Sequence, residues 1–483
     1  MKANFGVIGL AVMGQNLALN VESKGHPVAV YNRTADRTKA FAERTQGRKV
    51  VPAYTLQEFV ATLDRPRAIL VMVKAGSPVD EVLAELFPLL APGDLVMDGG
   101  NSHYDDTDRR LKLAEERGLL YLGVGISGGE AGALHGPAIM AGGHLEGYAR
   151  VKGILTKIAA QGPEGPCCGY FGPGSAGHYV KMVHNGIEYA IMQTLAEAYD
   201  LMKRGLGMSP PEMADVFGEW NRGELGSYLV EITERILRHA DPATGAPLVE
   251  LIKDTAQQKG TGKWSTQSAL DIGAPAPTIA AAVFARIVSA LKDERAHAEK
   301  LIPGPEPHLA ADRAGFLADL HHAVYLTAVS AYAQGLRQLR DASQEWGYGL
   351  DLAEVARVWM AGCIIRAKLL VPIRRALTAQ PDLPILFLAE PFRSRWRDHH
   401  TSLRRIVAEA HRHGIPTPAM SSALEFGDAY RTGRLPANLI QAQRDWFGAH
   451  TYERVDKPGT FHTEWGPPRS RDASGGKTQG EAG

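Results

Sequence analysis

Lys181, His184, Asn185 and Glu188 lie within the segment HYVKMVHNGIEYAIMQ at i, i+3, i+4 and i+7. At 3.6 residues per turn this spacing places all four on one face of an α-helix. The amine and the carboxyl would stand roughly 10 Å apart along the axis, at about 1.5 Å per residue. Such a pair can exchange protons with two different carbons of one ligand. Val180, Val183, Ile187 and Ile191 repeat the spacing on a neighbouring apolar face, which predicts a helix anchored in a core beside the polar stripe. Gly186, next to the stripe, predicts close approach of a ligand to the backbone. The competing reading is a solvated face with incidental charges. A glycine inside the helix, which costs roughly 1 kcal/mol relative to alanine, weighs against it.

A second constellation opens the chain. FGVIG reads as a strand and runs into LAVMGQNLALN, so Gly9-Leu10-Ala11-Val12-Met13-Gly14 forms a dinucleotide-binding turn. Gly9 permits the tight turn, Ala11 lets a diphosphate approach, and Gly14 lets the helix pack on the strand. The helix start then offers unpaired N–H groups and partial positive charge to the diphosphate. The strand HPVAVY ends at Asn32-Arg33-Thr34, where an NAD site would usually carry an acid. Arg33 offers a guanidinium to a 2′-phosphate instead, with Asn32 and Thr34 as neutral donors, and this favours NADP. Val73-Lys74-Ala75, after a later apolar strand, falls at the carboxyl edge of the sheet, where it could line the same cleft.

These residues need a scaffold of two kinds. From residue 4 to about 170, short β-rich runs (FGVI, HPVAVY, AILVMV, DLVMDGG, YLGVGISGG) alternate with helix-like segments, predicting a mostly parallel sheet with helices on both faces. Beyond Pro173-Gly174 the periodicity is helical almost throughout. The expected organisation is an α/β Rossmann-like domain over 1–176, a large all-α domain over 177–434 and a tail over 435–483. The last dozen residues of that tail are too polar to bury much surface.

Lys plus Arg balances Asp plus Glu at 53 each among 483 residues, so no global field attracts nucleic acid or an anionic membrane. An anionic ligand must therefore be held by a local positive cluster. No apolar run approaches the roughly 18 to 20 residues that span a bilayer. The start, MKANFGVIGLAVMG, does not read as a targeting peptide, which predicts a cytoplasmic protein. Cys167, Cys168 and Cys363 support neither a disulfide framework nor a zinc site.

The motifs GLAVMGQNLALN, YNRT, VKAG, DGGNS, SGGEAGA, KMVHNGIEYAIMQ, KGTGKWS, CIIRA and FGAHTYER, in this order across nearly the whole chain, resemble the 6-phosphogluconate dehydrogenases. The resemblance implies metal-independent oxidation of 6-phosphogluconate by NADP to ribulose 5-phosphate, carbon dioxide and NADPH. It makes Lys181 the general base at the C3 hydroxyl and Glu188 the general acid that protonates C1 of the enediol. Asn101 would touch both nicotinamide and substrate, Ser127, Gly128 and Gly129 the carboxylate end, and His184, Asn185 and Tyr189 the sugar acid. Lys259 and Arg286 would hold the phosphate, with Arg444 and His450 reaching over from a second subunit of a homodimer or tetramer. The family often carries Glu where Ala131 stands, Pro where Ala141 stands and Thr where Ser265 stands. These three positions are expected to flank the substrate loop. A shorter 3-hydroxyacid dehydrogenase of the same superfamily, or a non-catalytic NADPH-binding homologue, is the alternative. Neither would need KGTGKW, an exchanged tail and an intact lysine–glutamate pair together.

Overall fold

The computed structural model describes residues 2–258, 260–309 and 312–466. The chain forms two compact units, Met1–Leu424 and Glu425–Gly483.

The first unit begins with an eight-stranded sheet: β1 (Phe5–Ile8), β2 (Val28–Tyr31), β3 (Val50–Ala53), β4 (Ala68–Val71), β5 (Leu95–Asp98), β6 (Leu120–Ser127), β7 (Ala138–Gly143) and β8 (Cys168–Tyr170). The spatial order is β8-β7-β6-β5-β4-β1-β2-β3. Every neighbouring pair is parallel except β6 with β7. Strand order reverses at β1, which pairs with β2 on one side and β4 on the other, so a crevice opens beyond their carboxyl ends.

Side chains alternate between two apolar layers. Val7, Leu70, Met97, Leu122 and Val124 enter one core, while Ile8, Ile69, Val71, Val96 and Tyr121 enter the other. A period of two with both faces apolar requires helices on both sides of the sheet. Three strands carry weaker sequence signals than the five expected runs. In β3, Pro52 is tolerated because the strand lies at the sheet edge. In β7, AIMAGG is poor in β-branched residues, yet all six are buried, because a helix passes close across the strand.

That helix is α1 of the helical region (Ala176–Asp200), and it continues into a π-helical turn at Leu201–Gly205. Around it pack α2 (Thr261–Asp271), α3 (Pro277–Ala290) and the long α4 (Arg313–Trp346), on which α5 (Phe392–Arg412) rests. Close approach depends on missing side chains. A Cβ on Gly186 would lie 2.5 Å from Ser265 Oγ, and one on Gly335 would lie 2.6 Å from Ile187 Cδ1. Gly186 thus serves helix packing and not, as its position beside the stripe suggested, approach of a ligand. Among the described residues no helix is long and apolar enough to cross a membrane.

The second unit contains α6 (Ala437–Gly448) and a short hairpin, β9 (Tyr452–Glu453) with β10 (Thr460–Phe461). Asp445 organises it. Its carboxylate accepts from Thr451 N at 2.9 Å, Thr463 N at 3.0 Å, His462 Nδ1 at 2.8 Å and Trp465 Nε1 at 2.8 Å. Part of the expected tail is therefore a folded element around one carboxylate. The polar last dozen residues lie outside the described residues.

Candidate active site

β6 prepares the site. Leu122, Val124 and Ile126 face the core, whereas the opposite face presents Gly123, Gly125 and Ser127. A Cβ on Gly123 would stand 2.8 Å from His178 Nδ1, and one on Gly125 would stand 2.3 Å from Lys181 Cβ. The two bare positions let α1 lie directly on the strand. Gly177 of α1 completes the approach, since its added Cβ would meet Gly123 O at 2.5 Å.

Lys181, His184 and Asn185 are buried at 6%, 0% and 7% exposure, so the stripe is not a solvated face. Lys181 Nζ and His184 Nδ1 both donate to Asn185 Oδ1, the latter at 2.9 Å. His184 Nε2, left as acceptor, receives Ser127 Oγ–H at 3.3 Å. Asn185 Nδ2 donates to Thr261 Oγ1 at 2.9 Å. Glu188 Oε2 stands 3.8 Å from His184 Nδ1.

Burial shifts each titrating group toward its neutral form. It lowers the Lys181 pKa, opposed by the charge of Glu188. It raises that of Glu188, opposed by Lys181 and then Arg286. Burial followed by the charge of Lys181 pushes His184 well below its usual value, so the ring is neutral. A neutral amine and a protonated carboxyl are the states a base and an acid require before they act.

Other expected residues are distributed as follows. Tyr189 is buried, and the Arg286 guanidinium lies 3.4 Å from its ring centroid, also donating to Gln257 O at 3.3 Å. Gly128 (φ 116) could not carry a Cβ, which would lie 2.6 Å from Gly362 O, while at Gly129 (φ 62) the space is open. Asn101 is exposed on the loop after β5, and that loop is tied down from beneath. Asp98 accepts from Gly100 N at 3.0 Å and Ser102 Oγ at 2.6 Å. The buried Arg110 donates to Asp98 at 3.2 Å and to Asp80 at 2.8 Å. His178 joins the two parts, donating from Nε2 to Asp98 O at 3.0 Å and accepting from Thr107 Oγ1 at 2.7 Å. Arg444 and His450 are exposed in the separate Glu425–Gly483 unit. Lys259 lies outside the described residues.

Of the positions expected to flank the substrate loop, Ala131 is exposed in the helix Gly129–His135, which follows Ser127 and Gly128. Ala141 is buried in β7, and Ser265 is buried where α2 meets α1, donating to Gln338 Oε1 at 3.1 Å. Their small size serves packing. Thr261, Arg110, Asp98 and His178 are functional neighbours that sequence reasoning missed. Alternating glycines in YLGVGIS were the available signal for a helix on that strand. Nothing in the sequence marked the Arg110 network.

The nucleotide turn has the geometry its glycines imply. Gly9 (φ 98) has no room for a Cβ, which would fall 2.4 Å from Met72 O, and a Cβ on Gly14 would fall 1.9 Å from Gly9 O. Leu10 N donates to Asn32 Oδ1 at 3.0 Å, which joins the turn to the end of β2. The following helix, Val12–Ser23, has no side-chain cap and no acid in its first turn, so its leading N–H groups suit a diphosphate. Arg33 is exposed, with one guanidinium nitrogen 3.1 Å from Glu81, and Lys74 is exposed beyond β4. The donor set fits a phosphorylated dinucleotide.

The family model described as "NAD binding domain of 6-phosphogluconate dehydrogenase" matches residues 4–172, and "6-phosphogluconate dehydrogenase, C-terminal domain" matches 177–465. The chain is 54% identical over 466 residues to "6-phosphogluconate dehydrogenase, decarboxylating" of Synechococcus elongatus, covering 95% of this chain and 99% of that one. It is 50% identical over 465 residues to the Bacillus subtilis "6-phosphogluconate dehydrogenase, NADP(+)-dependent, decarboxylating", covering 96% and 99%. A solved Plasmodium falciparum 6-phosphogluconate dehydrogenase, described in apo form and in complex with NADP+ and with 6-phosphogluconate, superposes with a TM-score of 0.93. It is 43% identical, with 96% of this chain and 100% of that one covered.

Proposed function

The chain belongs to the 6-phosphogluconate dehydrogenase family, and from that premise we propose how its own residues carry out the oxidative decarboxylation of 6-phosphogluconate with NADP. The observation that carries the reading is the row of buried Lys181, His184 and Asn185 with half-buried Glu188, whose desolvation favours a neutral amine and a protonated carboxyl.

The nicotinamide, when bound, accepts hydride from C3 of the substrate. Lys181 takes the C3 hydroxyl proton as that hydride leaves, and a C3 ketone results. Asn185 Oδ1 aims the amine, and Thr261 fixes the amide from its other end. The returned proton on Lys181 then polarises the ketone, which accepts the electrons of the breaking C1–C2 bond as carbon dioxide departs. Lys181 passes its proton to the ketone oxygen to give the enediol, and as Glu188 delivers a proton to the carbon that lost its carboxylate, Lys181 takes back the hydroxyl proton and ribulose 5-phosphate results. Neutral His184, held by Ser127, donates or accepts hydrogen bonds without adding charge beside Lys181.

Asn101, Ser127, Gly128 and Gly129 approach the substrate from the sheet side, and His184, Asn185 and Tyr189 from the helix. Arg286, with Lys259, supplies positive charge for the phosphate. The turn Gly9–Gly14 takes the diphosphate, Asn32, Arg33 and Thr34 the ribose phosphate, and Val73–Ala75 the cleft wall. The same reading makes the active protein a cytoplasmic homodimer in which Arg444 and His450 complete a neighbour's phosphate site. Support comes from the apolar side chains left uncovered on one chain: Leu270, Phe284 and Ile302 in the helical region, Trp446 and Phe447 in the second unit.

The decisive assay mixes protein, NADP and 6-phosphogluconate while following NADPH absorbance and carbon dioxide release. Both signals appear in equal amounts if the reading holds. Reduction without gas would mean a simple hydroxyacid dehydrogenase, and neither signal would mean a binding protein.

A further inference from the structure

Away from the catalytic stripe, three side chains from two parts of the helical region converge. Glu224 lies between the helices Pro210–Arg222 and Tyr228–Arg238, and His321 and His322 lie on α4. Each offers one ligand atom, and the three atoms lie within 4.8 Å of one another. We propose that Glu224, His321 and His322 form a binding site for one zinc-type dication, separate from the reaction and serving to join these elements.

Two imidazoles and one carboxylate are a donor set that suits zinc and its neighbours better than magnesium or calcium, which prefer oxygen alone. A tetrahedral ion with bonds of about 2.1 Å separates its ligand atoms by about 3.4 Å, so side-chain rotations that close the widest gap by about 1.4 Å at most suffice. All three side chains are half-buried, which leaves a path for the ion and water at a fourth position.

The surroundings orient the donors from outside. Arg395 of α5 donates to Glu224 Oε2 at 2.7 Å, leaving the other carboxylate oxygen to ligate. His399, one turn further along α5, stacks on His322 with centroids 3.7 Å apart and planes 11° from parallel. Trp220 meets His321 edge to face at 5.8 Å. The charge of Arg395 repels a dication and limits the affinity. Bound there, the ion would tie the Glu224 connection to α4, whose Gly335 packs on Ile187 of the catalytic helix.

The test uses the full chain stripped with a chelator and titrated with zinc chloride by calorimetry, with thermal melting in parallel. One ion per chain and a raised Tm are expected. Glu224→Gln and His321→Asn should each weaken binding about tenfold or more, since losing a ligand costs at least as much as losing an outer partner. NADP binding should be unchanged in both. His322→Gln serves as a third variant should either of the others lose its far-ultraviolet circular dichroism. Absence of saturable zinc binding to the wild type, or wild-type affinity in folded variants, overturns the proposal.

Discussion

Gly125 and Lys181 occupy a space that only one side chain can fill: a Cβ on the glycine would lie 2.3 Å from Cβ of the lysine. The base is positioned by an absence on the strand beneath it. Gly125→Ala should therefore push α1 off β6, costing about 1 to 3 kcal/mol of stability through overpacking. Urea unfolding measures the loss. Turnover should fall while NADP affinity holds, because the nucleotide turn lies on β1. Wild-type turnover in a folded Gly125→Ala protein would show that the position of Lys181 is not set by this contact.

Lys181→Met should eliminate hydride transfer and retain NADP binding, seen as a fluorescence titration with normal affinity and no NADPH formation. Glu188→Gln should act later, slowing product formation about 10²- to 10⁴-fold, the usual contribution of a general acid. Near-normal turnover of either variant would reassign its role.

The pH profile follows from the directions of the two shifts. Lys181 must be neutral, so kcat/KM falls as pH drops through its lowered pKa. Glu188 must carry a proton, so kcat/KM falls as pH rises through its raised pKa. The result is a bell, and Glu188→Gln should remove its alkaline limb. Persistence of that limb in the variant would assign it to another group.

Arg33 is the expected reader of the 2′-phosphate. Arg33→Glu should weaken NADP binding about tenfold to a hundredfold, the range for loss of a charge-assisted hydrogen bond, and affect NAD far less. Equal loss for both cofactors, measured by calorimetry, would refute the role.

The second unit is the proposed donor of Arg444 and His450. A cut near residue 440 would sever α6, so the clean truncation ends at Arg434. Loss of activity with NADP binding intact is expected, with light scattering reporting the oligomeric state. A fully active truncated monomer would contradict exchange between subunits.

Much of this arrangement was legible in the chain itself. Gly9 and Gly14 announce their turn because backbone crowding there is a local matter, settled within a few residues. The spacing of Lys181, His184, Asn185 and Glu188 needs only the helical period. Gly186 shows the limit of such reading: a glycine beside a polar stripe suggests a ligand, and its true neighbour is Ser265, 79 positions further on. Arg110, by pattern a surface cation on an amphipathic helix, is buried against Asp98 and Asp80.

The sequence by itself determined five of the eight sheet strands, the helix that carries the stripe, where the nucleotide turn lies and which four side chains share a helical face, because each depends on spacing within one segment. Only the tertiary structure decided that the face is buried, that Asn185 aims the lysine while Thr261 steadies the amide, and that burial biases amine and carboxyl toward neutrality. Desolvation and cross-element hydrogen bonds are set by segments distant in the chain, and no local pattern encodes which of them will meet.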